Sequence, residues 1–187
     1  FARAVELQKR LSGLVSEFNT NIAEDRTTLL FTDAELLGVP ANVLDHLKRS
    51  TTDDDDDSKL IVRLDYPTYN GIMKNCEVAQ TRKEMINAFE KRAFPQNAEV
   101  LREIIAVRHA LATMLGYRSY TEFDVETKMI GTPEVAYDFI SNLVPGLQAK
   151  WETEKATAIE KGLHPSVKLT PEDKSFHYYD IPFVMNE

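Results

Sequence analysis

Apolar residues recur along most of this chain at the spacing of an α-helix. In residues 3–22 they follow one another at steps of three and four, which places them on one helix face. The same spacing predicts a helix around Met85–Phe89 and a stronger one from Val100 to Leu115, which Gly116 ends in the left-handed conformation. A further helix is predicted at Thr132-Pro133-Glu134, where an N-cap, a proline at the first helical position and an early acid coincide. Its apolar stripe consists of Val135, Phe139, Ile140, Leu143, Val144 and Leu147.

Three features modify this helical pattern toward the C-terminus. Pro145 lies inside the last stripe and predicts a kink, because proline removes one backbone donor. The polar run of residues 152–161 predicts a solvated helix that ends near Gly162. Thr170-Pro-Glu-Asp173 repeats the helix-start signal in a weaker form.

Two segments have the pattern of strands. Thr28–Phe31 is short and apolar. In residues 59–64, Leu60, Val62 and Leu64 alternate with Lys59, Ile61 and Arg63, so we expect the two segments to pair. Thr32 and Glu35 form a capping-box pattern, which predicts a brief helix that Gly38 and Pro40 stop. The predicted fold class is therefore mainly α: a multi-helical array with one short two-stranded β element.

Composition narrows the functional class. The chain has 187 residues, of which 43% are hydrophobic and 28% charged, as in an ordinary globular protein. Its formal net charge of −8 argues against a nucleic-acid partner, which normally requires a basic surface. No apolar run reaches the 18 residues that a membrane-spanning helix needs, so no membrane partner is expected either.

The single cysteine, Cys76, indicates a reducing compartment, and we expect a cytoplasmic location. One cysteine cannot form an internal disulfide. A catalytic cysteine needs a basic partner that stabilises the thiolate, whereas the neighbour of Cys76 is Glu77. A structural or incidental Cys76 is the favoured interpretation.

The sequence contains no local pattern for a metal or a nucleotide. Zinc hydrolases place two histidines one helical turn apart, but His46, His109, His164 and His177 are all more than five residues from one another. The five aspartates within residues 51–58 lack the glycine and glutamate of a calcium loop, so a solvated surface loop is favoured over an ion site. No glycine-rich phosphate loop occurs.

Short motifs nevertheless occur in a recognisable order along the chain. They include Asn21-Ile-Ala-Glu-Asp25, Phe31-Thr to Gly38-Val-Pro40, Leu64-Asp-Tyr-Pro-Thr-Tyr69, Thr81-Arg82, Ala88-Phe89-x-x-Arg92, Asn97 with Leu101, Leu115-Gly-Tyr117, and Tyr178-Tyr-Asp-Ile181. Together they resemble the family of thimet oligopeptidase, neurolysin, oligopeptidase A and peptidyl-dipeptidase, over about residues 5–187. Near the end the family has Trp-Asp-x-x-Tyr-Tyr, whereas Pro182 here follows Tyr179-Asp-Ile and departs from that pattern.

The resemblance implies a larger, two-lobed, all-α zinc peptidase whose channel admits short peptides. Such enzymes carry His-Glu-x-x-His on a helix that follows the region matched here, and residues 1–187 have no counterpart of it. We therefore expect no catalytic, cofactor-binding or metal-binding residue in this chain, and zinc only in the parent enzyme. We expect residues 1–64 to pack on the catalytic lobe and residues 65–187 to form a segment of the helical lobe, the catalytic zinc domain itself being absent.

Two functional hypotheses follow. In the first, the chain is part of a zinc-dependent oligopeptidase that hydrolyses short peptides and is inactive alone; its start at Phe1 favours this one. In the second, the chain is a stand-alone helical module for protein interactions. A piece of a larger enzyme should expose apolar surface and self-associate through it, and we expect that surface on the far face of residues 3–22, including Phe18, and at Phe183–Met185.

Overall fold

A computed structural model describes residues 2–50, 59–172 and 174–186. The chain forms two compact units, Phe1–Asp25 with Ala93–Glu152 and Arg26–Arg92 with Thr153–Glu187. Most described residues are helical, which confirms the mainly α fold class. The predicted assignment of residues 1–64 and 65–187 to two lobes concerns the parent enzyme and stays a prediction.

Helices α1 (Ala2–Glu24) and α5 (Gln96–Met114) form the core of the first unit. Both predicted helices are thereby confirmed. Their facing apolar residues exclude water from one seam, and the short helix α6 (Tyr120–Val125) packs beside α5. The buried set is Leu11, Leu14, Val100, Ile104 and Val107, with Leu7, Phe18 and Tyr120 packed against it.

Asn97 joins α1 to α5 with hydrogen bonds that apolar packing alone does not provide. Its Nδ2 donates to the carbonyl oxygen of Phe18 at 2.9 Å, and its Oδ1 accepts from Asn21 Nδ2 at 2.8 Å. Nearby, Asp25 Oδ2 accepts from the backbone N–H of Ala93 at 2.7 Å, where the chain enters α5 with a positive φ of 58°. Two motifs far apart in sequence, Asn21–Asp25 and Asn97, thus meet in one hydrogen-bonded cluster.

The second unit contains a small antiparallel sheet in the order β1-β3-β2. The predicted pairing is confirmed: β1 (Thr28–Phe31) lies beside β3 (Leu60–Arg63), with Phe31 opposite Leu60. A two-residue strand, β2 (Lys48–Arg49), adds a third member that the sequence pattern did not predict. The acidic loop lies largely outside the described residues, so its predicted solvated character stays a prediction.

One face of this sheet is covered by helices α3 (Tyr66–Asn75) and α4 (Ala79–Glu90), and α2 (Ala41–Leu44) packs beside α3. Asp65 starts α3, because its side chain accepts from the N–H of Thr68 at 2.9 Å. Residues from the sheet and both helices are buried together: Phe31, Leu36, Val39, Leu60, Val62, Leu64, Ile72, Met73, Cys76, Met85 and Ile86.

Arg92 links the end of α4 to the end of β3 by hydrogen bonds. Its guanidinium donates to the carbonyl oxygens of Phe89, at 3.0 Å, and Leu64, at 3.1 Å, and lies 3.6 Å from the centroid of the Phe89 ring. Tyr69 stacks on the same ring, with centroids 4.0 Å apart. The spacing Phe89-x-x-Arg92 therefore has a local structural role.

The capping box at Thr32 forms, but the helix that it predicted does not. Thr32 N donates to Glu35 Oε2 at 2.8 Å, and Glu35 N donates to Thr32 Oγ1 at 3.3 Å. Successive turns follow instead of a helix and end at Gly38, whose φ of +88° favours glycine. A Cβ there would lie 2.5 Å from the carbonyl oxygen of Asn75, so the close approach also requires glycine.

Helix α7 (Pro133–Lys161) begins where predicted, with Thr132 Oγ1 accepting from Val135 N at 3.3 Å, and runs through Pro145. Gly162 follows it with a φ of +94°, as expected for a helix end. None of its residues is buried, and the large apolar side chains between residues 135 and 147 are 42–71% exposed. The exposed stripe, called the α7 stripe below, comprises Val135, Tyr137, Phe139, Ile140, Leu143, Val144 and Leu147.

The expected exposed apolar surface is found only in part, because Val5 and Val15 on α1 are 51% and 39% exposed whereas other expected residues are covered. Phe18 is half-buried against the α1–α5 core, and Phe183 and Val184 are half-buried, while Met185 is 39% exposed. The α7 stripe is a further exposed apolar surface, which was not among the expected ones.

The C-terminal segment folds without a helix at Thr170. Thr170 N donates to the carbonyl oxygen of Ser175 at 2.9 Å, and Ser175 N donates to Thr170 Oγ1 at 3.0 Å, so a tight turn replaces the predicted helix start. Helix α8 (Ile181–Val184) follows and accommodates Pro182 in its first turn, where a missing N–H costs nothing. Among the described helices, none is long and apolar enough to cross a membrane.

Candidate functional site

The most enclosed polar cluster of the second unit joins the motifs Thr81-Arg82 and Tyr179-Asp180. Arg82 lies on α4 and Asp180 immediately precedes α8; their side chains are 0% and 1% exposed. Arg82 Nε donates to Asp180 Oδ1 at 3.1 Å, and Nη2 donates to the same oxygen at 2.5 Å. A buried ion pair therefore links two segments separated by 98 residues.

Arg82 has further partners on the rest of its guanidinium. Nη1 donates to the carbonyl oxygen of Cys76 at 2.6 Å, just after α3 ends, and Ser166 Oγ lies 3.5 Å from both Nη1 and Nη2. The ring of Phe183 lies against the guanidinium, whose Cζ is 4.3 Å from the ring centroid. One cation thus fixes the end of α3, the loop after α7, and α8.

The Arg82–Asp180 pair anchors structure. A guanidinium stays protonated in proteins, so Arg82 serves as neither acid nor base. Asp180 contributes one oxygen to Arg82, while its Oδ2 is buried without a hydrogen-bond partner among the described residues. The pair holds α8 in place against α4.

His164 continues the cluster toward the surface. Its Nδ1 lies 2.9 Å from Ser166 Oγ, its Nε2 lies 3.6 Å from Glu77 Oε2, and its ring meets Phe183 edge-on at 5.5 Å. A cavity of about 250 Å³ opens beside this ring, between the last turns of α7, the loop of residues 162–167, and α8.

Cys76 is buried within the same unit, as expected for a cysteine with a structural role. Its Sγ lies 3.3 Å from the carbonyl oxygen of Glu35, and burial raises the pKa of the thiol, with a smaller contribution in the same direction from Glu77. A neutral, enclosed thiol is a poor nucleophile.

The residues present do not fit the zinc centre of the family. His46 and His109 are exposed, and His177 stacks on Tyr179 with centroids 5.0 Å apart. Across residues 2–50, 59–172 and 174–186, no group of three His, Cys, Asp or Glu side chains could hold a metal ion. No step of metal chemistry is therefore assigned to these residues.

Sequence reasoning assigned no site residue and missed the Arg82–Asp180 pair. Each residue was quoted within a motif, but nothing in the sequence indicated that the two motifs touch. In each segment a charged residue lies close to apolar ones: Arg82 precedes Met85 and Ile86, and Asp180 precedes Ile181. Charged residues that are buried are usually paired, so this pattern could have indicated a buried ion pair.

Comparisons with known proteins agree with the motif order. A sequence model of Peptidase family M3 matches residues 72–187. Oligopeptidase A of Salmonella typhimurium is 30% identical over 185 residues, which cover 92% of this chain and 27% of that protein. Oligopeptidase A of Escherichia coli is 32% identical, with 81% of this chain and 24% of that protein covered. Saccharolysin of Saccharomyces cerevisiae is 30% identical over 74% of this chain and 19% of its own length.

The chain thus spans about a quarter of the length of the bacterial relatives that it matches. Its quoted motifs lie both inside and before the matched range, and the residues that form the Arg82–Asp180 pair lie inside it. On the strength of a match to more than half of its residues, this chain belongs to Peptidase family M3.

Proposed function

We propose that the chain is one part of a zinc-dependent oligopeptidase that hydrolyses short peptides. The observation that supports this most directly is the family match over residues 72–187, together with two relatives named oligopeptidase A. The His-Glu-x-x-His pair needed for a zinc-activated water does not occur in the sequence, so the 187 residues alone are expected to be inactive.

The anchored segments suit a scaffolding role within such an enzyme. Arg82 holds α8 against α4, and Asn97 holds α1 against α5, so each unit has an internal polar link besides its apolar core. We assign residues 1–64 to the part that packs on the catalytic lobe and residues 65–187 to the helical lobe. A cytoplasmic location accords with one cysteine that is buried as a thiol.

The α7 stripe supports a second property, self-association of the chain when it is isolated. Seven large apolar side chains at 42–71% exposure leave a surface on the order of 600 Å². Monomeric proteins rarely expose a larger contiguous apolar patch. A standard interface buries about 800 Å² per partner, so two copies can cover most of the stripe by pairing α7 with α7. The same stripe is the feature that favours the alternative function, a helical interaction module.

Antibodies raised against the 187-residue chain test the peptidase proposal. They should capture from the source organism a polypeptide several times heavier than 21.3 kDa that cleaves quenched-fluorescent short peptides and spares a folded protein. A chelator should abolish cleavage, and added zinc should restore it. Capture of a 21.3 kDa species without peptidase activity would instead support the interaction module.

A further inference from the structure

We propose that His164 is a pH-sensitive switch for the loop of residues 162–167, which forms one wall of the cavity beside it. A neutral imidazole holds the loop closed, and protonation of the ring releases it. The inference does not depend on the peptidase proposal, because it concerns hydrogen bonds within the second unit and requires neither a metal nor a substrate. It rests on the partners of the two ring nitrogens.

One ring nitrogen of His164 is a hydrogen-bond acceptor. The backbone N–H of Ser166 donates to His164 Nδ1 at 3.3 Å, and Ser166 Oγ lies 2.9 Å from the same nitrogen. An imidazole nitrogen accepts a hydrogen bond only when it carries no proton. The closed loop therefore requires a neutral ring whose proton lies on Nε2.

The other ring nitrogen is placed to keep that proton. Nε2 lies 3.6 Å from Oε2 of Glu77, a residue in the connection between α3 and α4. With a proton, Nε2 faces the carboxylate as a donor, whereas without one its lone pair would face a negative charge. Both nitrogens thus favour the same neutral tautomer, and the ring bridges Glu77 and the loop.

A second proton on the ring changes the Nδ1 side. Nδ1–H then faces the N–H of Ser166, so two donors meet and their hydrogen bond is lost. Ser166 Oγ can accept from Nδ1–H, but the backbone N–H has lost the acceptor that shaped the turn. An unsatisfied N–H is costly when it is shielded from water, so the turn at residues 164–166 opens until water reaches this group.

The switch acts against a fixed anchor. Arg82 stays protonated, its Nη1 and Nη2 lie 3.5 Å from Ser166 Oγ, and its ion pair with Asp180 is buried. Phe183 lies between the guanidinium of Arg82 and the ring of His164, 4.3 Å from Cζ to the ring centroid and 5.5 Å between the two rings. Opening of the loop therefore leaves α4 and α8 in place.

Charged groups of both signs surround this ring on several elements. They are Glu77 before α4, Arg82 on α4, Glu154 and Lys161 on α7, and Asp180 before α8. Their effects on a proton at the ring oppose one another, so the overall stability of the chain is a poor readout of the switch. The N–H of Ser166 is the direct one, because its acceptor exists only on the neutral ring.

Hydrogen exchange of the Ser166 amide tests the switch on the 187-residue chain. Protection factors, which correct for the intrinsic effect of pH on exchange, are compared at pH 8 and pH 5, the limits of the range in which histidines usually take up a proton. We expect the Ser166 amide to lose at least tenfold in protection at pH 5. The amides of Met85 and Ile86 in α4 should keep theirs, because the anchor does not open.

Matched variants assign the effect to the ring. In His164→Gln, protection of the Ser166 amide should differ less than twofold between the two pH values. His109→Gln, which removes an exposed histidine on α5, should behave as the unsubstituted chain does. Ser166→Ala removes the hydroxyl but keeps the backbone N–H that donates to the ring, so the loss at pH 5 should persist at that amide.

Four results would overturn the proposal. They are equal protection of the Ser166 amide at both pH values, a pH-dependent loss that survives in His164→Gln, a loss that disappears in Ser166→Ala, and an equal loss at Met85 and Ile86, which would mean that the whole unit unfolds. None of them bears on peptide hydrolysis, so this proposal and the peptidase proposal fail independently.

Discussion

Asp180 pairs with Arg82 through only one of its two carboxylate oxygens. Oδ1 accepts both Nε, at 3.1 Å, and Nη2, at 2.5 Å, while Oδ2 is buried with no hydrogen-bond partner among the described residues. Burying two charges is costly, and the attraction between them offsets that cost only while both are present. The pair therefore fixes the position of α8 more than it adds net stability.

Removing one partner of this pair should destabilise the second unit strongly. Arg82→Met leaves the Asp180 carboxylate buried and unpaired, which we expect to cost about 3–5 kcal/mol. Removing both charges, in Arg82→Met with Asp180→Leu, should cost less than the sum of the two single changes. Urea unfolding followed by circular dichroism measures each variant.

The control for that series is an exposed ion pair. Arg118 pairs with Glu122 on the surface, with the arginine side chain 81% exposed, so Arg118→Met should leave the unfolding midpoint unchanged. Equal effects of the Arg82 and Arg118 substitutions would contradict an anchoring role for the buried pair.

The local fold followed from the sequence wherever a short segment determines its own structure. Helices α1, α5 and α7 begin and end close to the predicted residues, because periodicity, caps and glycine stops act within a few positions. The strand β2 was missed, since the two residues Lys48–Arg49 have no alternation to detect. The capping box at Thr32 formed, but it did not start a helix, because the chain must turn tightly at Gly38.

Features that depend on distant contacts did not follow from the sequence. The motif at Arg82 and the motif at Asp180 are each short, and only the folded chain brings them together. The helix at α7 was predicted correctly, yet periodicity indicates which face needs cover and not whether this chain provides that cover.

Two glycine-to-alanine substitutions should have opposite effects. At Gly38 a Cβ would lie 2.5 Å from the Asn75 carbonyl oxygen, and φ is +88°, so Gly38→Ala should cost more than about 2 kcal/mol. Gly13 lies inside α1 with no atom within 4 Å of the added Cβ, so Gly13→Ala should stabilise by about 0.5–1 kcal/mol. Thermal unfolding of both variants tests the pair, and a shift of the same sign in both would contradict the assignment.

Asn97 should be needed for the stability of the first unit. Asn97→Ala leaves the Phe18 carbonyl and Asn21 without their partner, which we expect to cost about 1–3 kcal/mol. Asn142→Ala, an exposed position on α7, is the matched control and should change stability little. Equal urea midpoints for the two variants would contradict the proposed link between α1 and α5.

Cys76 should resist thiol reagents until the chain unfolds. Burial raises the pKa of its thiol, so at any given pH the folded chain holds less thiolate than the unfolded chain does. The variant Ser16→Cys adds an exposed thiol on α1 as an internal standard. At pH 8 one thiol of that variant should react rapidly and Cys76 slowly, whereas in denaturant both should react at similar rates. Rapid reaction of Cys76 in the folded chain would show that it is accessible.

The isolated chain should self-associate through the α7 stripe. Pairing of two stripes removes apolar side chains from water, with Phe139 and Leu143, 59% and 47% exposed, near the middle. Light scattering of the 187-residue chain should therefore give a mass above 21.3 kDa that rises with concentration. Replacing both residues with Gln keeps helix propensity and net charge, and should return the mass to that of a monomer.

The same double substitution outside the stripe distinguishes association through the α7 stripe from nonspecific hydrophobic association. Met129 and Ile105 are 104% and 59% exposed and lie on other segments, so replacing them with Gln should leave the concentration-dependent mass unchanged. An equal effect of the two double variants would mean that association is nonspecific. If the unsubstituted chain stays at 21.3 kDa over the whole concentration range, α7 does not pair with a second copy. The apolar area that α7 exposes would then be too small to offset the entropy lost on association.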